Sequence, residues 1–555
     1  MDRTKRRWNG WGFAAHKDEL SGREEVWTWL AGELGMPALL ATPARPLEEL
    51  ALPDSALSDD DRAALAAIVG ADRVLLDAFE RAYHARGHSY QDLLRLRAGD
   101  LSEAPDAVVT PRATEEVLAV LSLAAEREIA VVPFGGGTGV VGGVNAARGR
   151  FSAVITLDIS DMDRVIAIDP VSQTATAQAG ICGPALEKAL EAKGFTLGYF
   201  PQSFEFSTLG GWIANRGAAA GRGSKDWLIG AQLAAPRGLV STGDFPASAA
   251  GPQLKDLLLG SEGIFGVITQ ATVRVRPLPE VADYRFYLFR DFASGLDAIR
   301  EATQAEISVT MLLLSDAEET RFCAAYDALG KPRSLARRIA ERYRQWRGFG
   351  HKPCALIAGF EGSRKTVAFA RRGFAAIAKR HGALSLGRCE RWKKARFALP
   401  YLRDPLLERG VGIDTFETAT SWSKLEALYA AARGAIETAI AQNVPRQGAK
   451  GVVLGYVCPC APGGASLEFT TVFPRLLDGE AAQAQAIKKA AIDAVVANGG
   501  TISHHHGVGI EHLPWIAAEK GELGLAALSA VKAALDPKGI MNPGKLLPDK
   551  PFALG

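Results

Sequence analysis

A chain of 555 residues exceeds what one hydrophobic core can hold, so two or three domains are expected. Its 48% apolar and 23% charged residues exclude a disordered chain, and a formal net charge of +2 gives no global field to attract nucleic acid. Six scattered cysteines, at 182, 323, 354, 389, 458 and 460, exclude a disulfide framework and fit a reducing cytoplasm. The basic stretch Met1 to Arg7 leads into Trp-Asn-Gly-Trp-Gly, which argues against a signal peptide, and no apolar run is long enough to span a bilayer.

Residues 1–100 read as helical, Ala/Leu/Glu-rich and punctuated by prolines. The pattern then changes to a strand at Ala107–Val109, a helix over Thr114–Arg127 and a strand from Ile129 into a run of glycines. Strands follow at 153–157, 165–169 and 174–179, then a helix over 183–193 and a strand at 267–275 that Pro277-Leu278-Pro279 ends. A domain boundary is expected near residue 282. Beyond it, strands at 284–289, 355–360 and 467–473 alternate with long helices at 424–442 and 481–497, the pattern of an antiparallel sheet covered by helices. A helix is expected over Leu523–Leu535.

Three turns carry the chemistry. Pro133-Phe134-Gly135-Gly136-Gly137-Thr138-Gly139 follows a strand, where absent side chains let backbone N–H groups approach a diphosphate. It is neither the G-x-G-x-x-G of a Rossmann site nor a Gly-Lys-Ser/Thr phosphate loop, and a tight turn between strands is its plainer reading. Pro201-Gln202-Ser203-Phe204-Glu205-Phe206-Ser207-Thr208-Leu209-Gly210-Gly211-Trp212 adds hydroxyls and paired glycines. Gly260-Ser261-Glu262-Gly263-Ile264-Phe265-Gly266 is another glycine-spaced turn entering a strand.

Together these turns resemble those of the FAD-binding fold shared by vanillyl-alcohol oxidase and the glycolate and D-lactate dehydrogenases. Within that superfamily the chain from Trp8 to Leu547 resembles the alkylglycerone-phosphate synthases (alkyldihydroxyacetonephosphate synthases) of ether lipid synthesis. The matching words are Trp8-Asn9-Gly10-Trp11-Gly12, Glu205-Phe206-Ser207-Thr208, Gly210-Gly211-Trp212-Ile213, Gly260-Ser261-Glu262-Gly263, Tyr401-Leu402-Arg403-Asp404, Asn498-Gly499-Gly500 and Ser503-His504-His505-His506-Gly507-Val508-Gly509.

The resemblance implies an α+β fold: a two-lobed FAD-binding domain over 101–282 after the helical region 1–100, a cap or substrate domain over 283–500, and a segment 501–555 returning to the flavin. It implies FAD contacts from residues 133–139, 202–208, Asn215-Arg216-Gly217-Ala218 and 260–266. No His or Cys lies in these turns, so the FAD is expected to be non-covalent.

The implied reaction exchanges the acyl group of an acyl-dihydroxyacetone phosphate for a fatty alcohol without net redox change. It would use Arg403 as phosphate clamp, for which a guanidinium suits bidentate binding, and Glu468, His504, His505 and His506 as candidate acid/base groups, two of the three histidines pointing inward. Glu468 stands where the family word Gly-Ala-(Ser/Cys)-aliphatic-Tyr-Phe has tyrosine. Leu313 stands near a family arginine, and Lys225-Asp226-Trp227 replaces a Tyr-Gly pair.

A histidine-bound metal is a rival reading of this triplet, and no metal is expected. Two functional alternatives stay open: an FAD-dependent oxidase or dehydrogenase of an alcohol or 2-hydroxy acid, and a non-catalytic FAD-binding subunit. Lys331–Lys352 holds eight Lys or Arg against one acid, with Leu335, Ile339, Tyr343 and Trp346 on one helical face. That pattern suits either peripheral contact with an anionic membrane or a solvated helix covering the cap. A lipid-like or small-molecule substrate is expected, with no nucleic acid, and a homodimer is compatible with the sequence.

Overall fold

The computed structural model describes residues 3–16, 20–219, 222–332, 334–389 and 396–548. Its first sheet takes the order β1 (Val74–Leu75), β2 (Ala107–Val109), β4 (Ala153–Asp158), β3 (Ile129–Phe134), with β2, β4 and β3 parallel. The helix Thr114–Arg127 makes the β2-to-β3 crossover that parallel strands need. All six residues of β4 are buried, as a parallel strand covered on both faces requires. The outer edge of β3 is covered by a distant segment: Val131 N donates to Ile540 O at 2.8 Å, and Asn542 N donates to Val131 O at 2.8 Å.

The second lobe is an antiparallel sheet of β5 (Val165–Asp169), β6 (Thr174–Gln178), β10 (Leu228–Ala235), β11 (Gly238–Ser241) and β12 (Val267–Arg274), in the order β11-β10-β12-β6-β5. Two short ladders accompany it: β7 (Phe195–Thr196) with β13 (Arg276–Pro277), and β8 (Ala218–Ala219) with β9 (Arg222–Gly223).

Beyond it stand β14 (Val281–Phe289), β15 (Met311–Ser315), β16 (Cys354–Gly362), β17 (Leu384–Arg388), β18 (Val411–Ser421), β19 (Val452–Ala461) and β20 (Gly464–Pro474). They form a seven-stranded antiparallel sheet in the order β17-β14-β16-β15-β19-β20-β18. Strict alternation divides its two faces. Leu312, Leu314, Leu356, Phe360, Leu467 and Phe469 bury against the helices Phe292–Gln304, Arg364–Arg380, Trp422–Gln442 and Glu480–Ala497. The interleaved Met311, Leu313, Ile357, Glu468 and Thr470 face a cavity between this sheet and the two lobes. The expected antiparallel sheet under helices is therefore present, with one face left to the site. The C-terminal helix runs further than expected, over Ile516–Leu535, and is interrupted at Gly521, whose φ of 66° no helical residue adopts.

Glu262 ties the last part of the chain to the second lobe. Its carboxylate accepts from Val508 N at 2.6 Å and Gly509 N at 2.7 Å, and its carbonyl accepts from Asn542 Nδ2 at 2.6 Å. Burial raises its pKa to about 7 against the pull of those two N–H groups and of Lys545. The folded value thus lies above the unfolded one of about 4.3, so the stability this group contributes is complete below the unfolded value and is lost as pH rises through about 7. Thermal unfolding from about pH 5 to about pH 8 is expected to show this loss in the wild type. Glu262→Gln sets an NH2 group against one of the two N–H donors. It should be less stable by about 1–3 kcal/mol and lack that component of the pH dependence, and equal slopes in the two proteins would contradict the assignment.

Candidate active site

The three glycine-bearing turns converge on a cavity of about 1680 Å³. Ordinary small-molecule pockets measure roughly 300–1,000 Å³, so this one has room for a dinucleotide and a substrate together. Pro133, Phe134, Gly135, Gly136, Gly137, Thr138 and Gly139 all line it, with Gln202, Ser203, Ser207, Thr208, Asn215, Gly217, Ala218, Glu262, Gly263 and Gly266. The glycines let the turns touch. A Cβ on Gly136 would fall 2.0 Å from the Phe206 carbonyl oxygen, and one on Gly135 would fall 2.4 Å from Thr208 Oγ1. A Cβ on Gly139 would meet nothing within 4 Å, so that backbone stands open to a ligand. This bare backbone, flanked by the hydroxyls of Thr138, Ser203, Ser207 and Thr208, fits a diphosphate.

Other expected cofactor residues are not among the wall residues. Ile264 and Phe265 are each 1% exposed and sit with Phe204 in the hydrophobic core, while Phe206 packs edge-on against Trp11 and Phe13. Glu205 accepts from the Tyr401 hydroxyl at 2.9 Å; Arg216, Gly260 and Ser261 shape the turns behind the wall. Residue type alone could not separate the two groups, because the second and third turns mix cavity-facing and core-facing positions.

On the sheet side of the cavity a buried acid absent from the expected set organises the histidines. Glu417, on β18 and 2% exposed, accepts at Oε1 from Ser503 Oγ (2.9 Å) and from the backbone N–H groups of His504 (3.0 Å), His505 (2.7 Å) and His506 (2.6 Å). Its Oε2 pairs with His505 Nδ1 at 2.5 Å. Against the effect of burial, the histidines hold the Glu417 carboxyl well below its ordinary pKa, and Glu417 lifts that of His505 to about 9. Burial pushes His504 down to about 4 and His506 down to about 3, helped in both cases by the charge on His505. His505 and His506 line the cavity, whereas His504 is not a wall residue. Glu417 shares its otherwise apolar and Thr-rich strand with a second buried acid, Asp414, so the sequence did not single it out.

Donor atoms of Glu417, His505 and His506 lie within 4.8 Å of one another, a spacing that metals also use. Glu417 Oε1 carries four hydrogen bonds and Oε2 stands 2.5 Å from His505 Nδ1, contacts that hold the trio together.

Glu468 lies on the neighbouring strand, directly across from Glu417 in the β18–β20 register, and lines the cavity. Burial raises its pKa, while His505, a hydrogen bond from Tyr456, and Arg403 pull the other way. Arg403 also lines the cavity, and its Nη1 donates to the His88 carbonyl at 2.9 Å. Among the described residues no carboxylate stands within ion-pair distance of it. Asp404 instead accepts from Trp11 N at 2.8 Å and Arg7 Nη1 at 3.1 Å.

The remaining words meet here too. A Cβ on Gly10 would fall 2.3 Å from Asp404, and one on Gly12 would fall 2.4 Å from the Tyr401 ring. His88 joins Gly10 O at 3.0 Å and, through its backbone N–H, Gly139 O at 2.7 Å. The amino-terminal word, the Tyr-Leu-Arg-Asp word and the first glycine turn are thus one contiguous unit behind Arg403.

Comparison with known proteins agrees with this geometry. Residues 105–243 match the FAD binding domain family, and residues 278–546 match the C-terminal domain of FAD linked oxidases. The chain is 32% identical to the alkyldihydroxyacetonephosphate synthase of Dictyostelium discoideum, over 98% of this chain and 93% of that one. It is 33% identical to that of Trypanosoma brucei brucei, over 87% and 80%. A solved alkyldihydroxyacetonephosphate synthase superposes with a TM-score of 0.84 at 29% identity, covering 98% of this chain and 99% of that one. Similarity to p-cresol methylhydroxylase, at a TM-score of 0.67 and 17% identity, extends to the fold. With its FAD turns, its cavity and near full-length identity to those proteins, the chain belongs to the alkyldihydroxyacetonephosphate synthase family, as an FAD-dependent enzyme acting on a small molecule.

Proposed function

We propose that this enzyme exchanges the acyl group of an acyl-dihydroxyacetone phosphate for a fatty alcohol, forming an ether bond. One observation carries the reading: a single cavity joins the three FAD turns, the polar group Arg403–His505–Glu468, and an apolar branch that includes Leu30, Trp29, Phe322, Leu406 and Leu454. Polar chemistry and space for alkyl chains lie in the same volume. The division into an FAD-binding domain (101–282), a cap domain (283–500) and a returning segment (501–555) belongs to the same proposal, with the FAD held non-covalently.

When bound by these turns, FAD would supply the ring at which the exchange occurs, without net redox change. Arg403, held by the His88 carbonyl, binds the phosphate through its remaining N–H groups. Glu468 takes up and returns a proton at its carboxylate. The imidazolium of His505, fixed by Glu417, stabilises negative charge on Glu468 and on the departing fatty acid. Leu313 lines the cavity where the family pattern has a cation, which leaves the positive charge to Arg403 and His505.

The surface of the cap supports a lipid source for the substrate. Along the helix Leu335–Trp346, the side chains of Leu335 (71% exposed), Ile339 (60%) and Trp346 (78%) stand bare in one line. Arg338, Arg342, Arg347 and Lys352 surround them, exposed, while Arg333 and the Arg337 side chain lie outside the described residues. Arg344 and Gln345 of the same helix line the cavity. We assign this helix to contact with an anionic membrane surface. Among the described residues no helix is long and apolar enough to cross a membrane.

Three outcomes test these readings. Purified holoenzyme given acyl-dihydroxyacetone phosphate and labelled fatty alcohol should form labelled ether lipid without lasting bleaching of the flavin; lasting bleaching without ether would mark a redox enzyme. Glu468→Gln and Glu417→Gln should each lower kcat by about 10²–10⁴-fold with flavin content unchanged, the second because His505 loses its charge below neutral pH. Ile339→Ser/Trp346→Ser should weaken co-sedimentation with phosphatidylserine vesicles by about tenfold or more while sparing turnover of a short-chain soluble substrate. Unchanged vesicle binding would return the helix to a covering role.

A further inference from the structure

Three neighbouring strands place one polar residue each in a single cross-strand row. Glu417 on β18 pairs in register with Glu468 on β20, and Glu468 pairs with Tyr456 on β19. Directly opposed residues of adjacent antiparallel strands point to the same face, here the cavity face. Tyr456 and Glu468 both line the cavity, and the Tyr456 hydroxyl donates to the Glu468 carboxylate. The row ends on Ser315 of β15, the register partner of Tyr456.

We propose that Tyr456 is the positioning residue of the site's base: its hydroxyl, donated across the β19–β20 ladder, aims the Glu468 carboxylate into the cavity and keeps it in the proton-accepting form. The proposal rests on the reading of Glu468 as the group that moves the proton. Every element around Glu468 contributes to its balance. His505 of the C-terminal turn and Arg403 of the helix Arg403–Leu407 favour the carboxylate. Glu417 of β18 opposes it, while Glu319 of the helix Ala317–Ala328, raised to about 8 by burial, and the Cys458 thiol of β19 stay protonated beside it.

Burial itself and the Glu417 charge therefore drive Glu468 toward its neutral form, in which it could accept no proton. Against them stand two cations and one hydroxyl. Burial carries the Tyr456 pKa well above its ordinary value, so the phenol remains a donor throughout the working range. Hydrogen bonding to the charged form favours that form. Without the Tyr456 hydroxyl, Glu468 should hold its proton to higher pH.

The test compares wild-type holoenzyme with Tyr456→Phe, Glu468→Gln and the double variant. Flavin content and thermal unfolding verify folding. In substrate-free holoenzyme, pH-difference infrared spectra locate the Glu468 carboxyl band as the one missing from Glu468→Gln. Its midpoint should move up by about one pH unit in Tyr456→Phe. With substrates, Tyr456→Phe should lower kcat by about tenfold, shift the acidic limb of the pH profile in the same direction and leave KM within about twofold. On the Glu468→Gln background it should cost nothing further. An unmoved infrared midpoint, or an equal loss from Tyr456→Phe with and without Glu468, would overturn the proposal. If the wild type forms no ether, the proposed reaction fails while the infrared midpoint still decides the role of Tyr456.

Discussion

The interaction on which the rest of the site depends is the burial of one carboxylate, Glu417, between a strand of the cap sheet and the turn that carries three histidines. A lone buried carboxylate is costly, and here four hydrogen-bond donors and an imidazolium offset that cost. The consequence is differentiation. Three chemically identical side chains in sequence become one ring that stays cationic past neutral pH and two that stay neutral well below it. Because the backbone of all three is anchored on the same oxygen, the assignment of charge follows from geometry and not from the order of the histidines.

The FAD turns were legible because glycines after a strand have few explanations and three such turns in one chain have fewer. The reason for two of those glycines was not legible. Gly135 and Gly136 are required by the neighbouring turn at Phe206 and Thr208, and the opening toward a ligand falls at Gly139. Glu262 sits inside a cofactor word, yet its carboxylate is spent on the N–H groups of Val508 and Gly509. A word marks a place where backbones meet, and sequence does not say which of its residues face the ligand.

Glu417 and Tyr456 were hidden for a different reason. Each is an unremarkable residue on its own strand, and each gains its role from its register with Glu468, Tyr456 across the β19–β20 hairpin and Glu417 from about 50 residues away. Pairing register depends on the whole hydrophobic pattern of a sheet and on its turns. The alternation within β20 could be read from sequence; the identity of the strands flanking it could not. The same applies to the amino-terminal word, whose glycines are fitted to Tyr401 and Asp404 about 390 residues away.

The coverage of the β3 edge by residues 540–542 makes the first lobe depend on a distant part of the chain. The strand that launches the first glycine turn and its outer hydrogen-bonding partner are about 400 residues apart, Val131 against Ile540 and Asn542. Until that partner arrives, β3 presents an unpaired edge beside an incomplete nucleotide pocket. A chain cut short of Ile540 would keep that edge open to pairing with other strands.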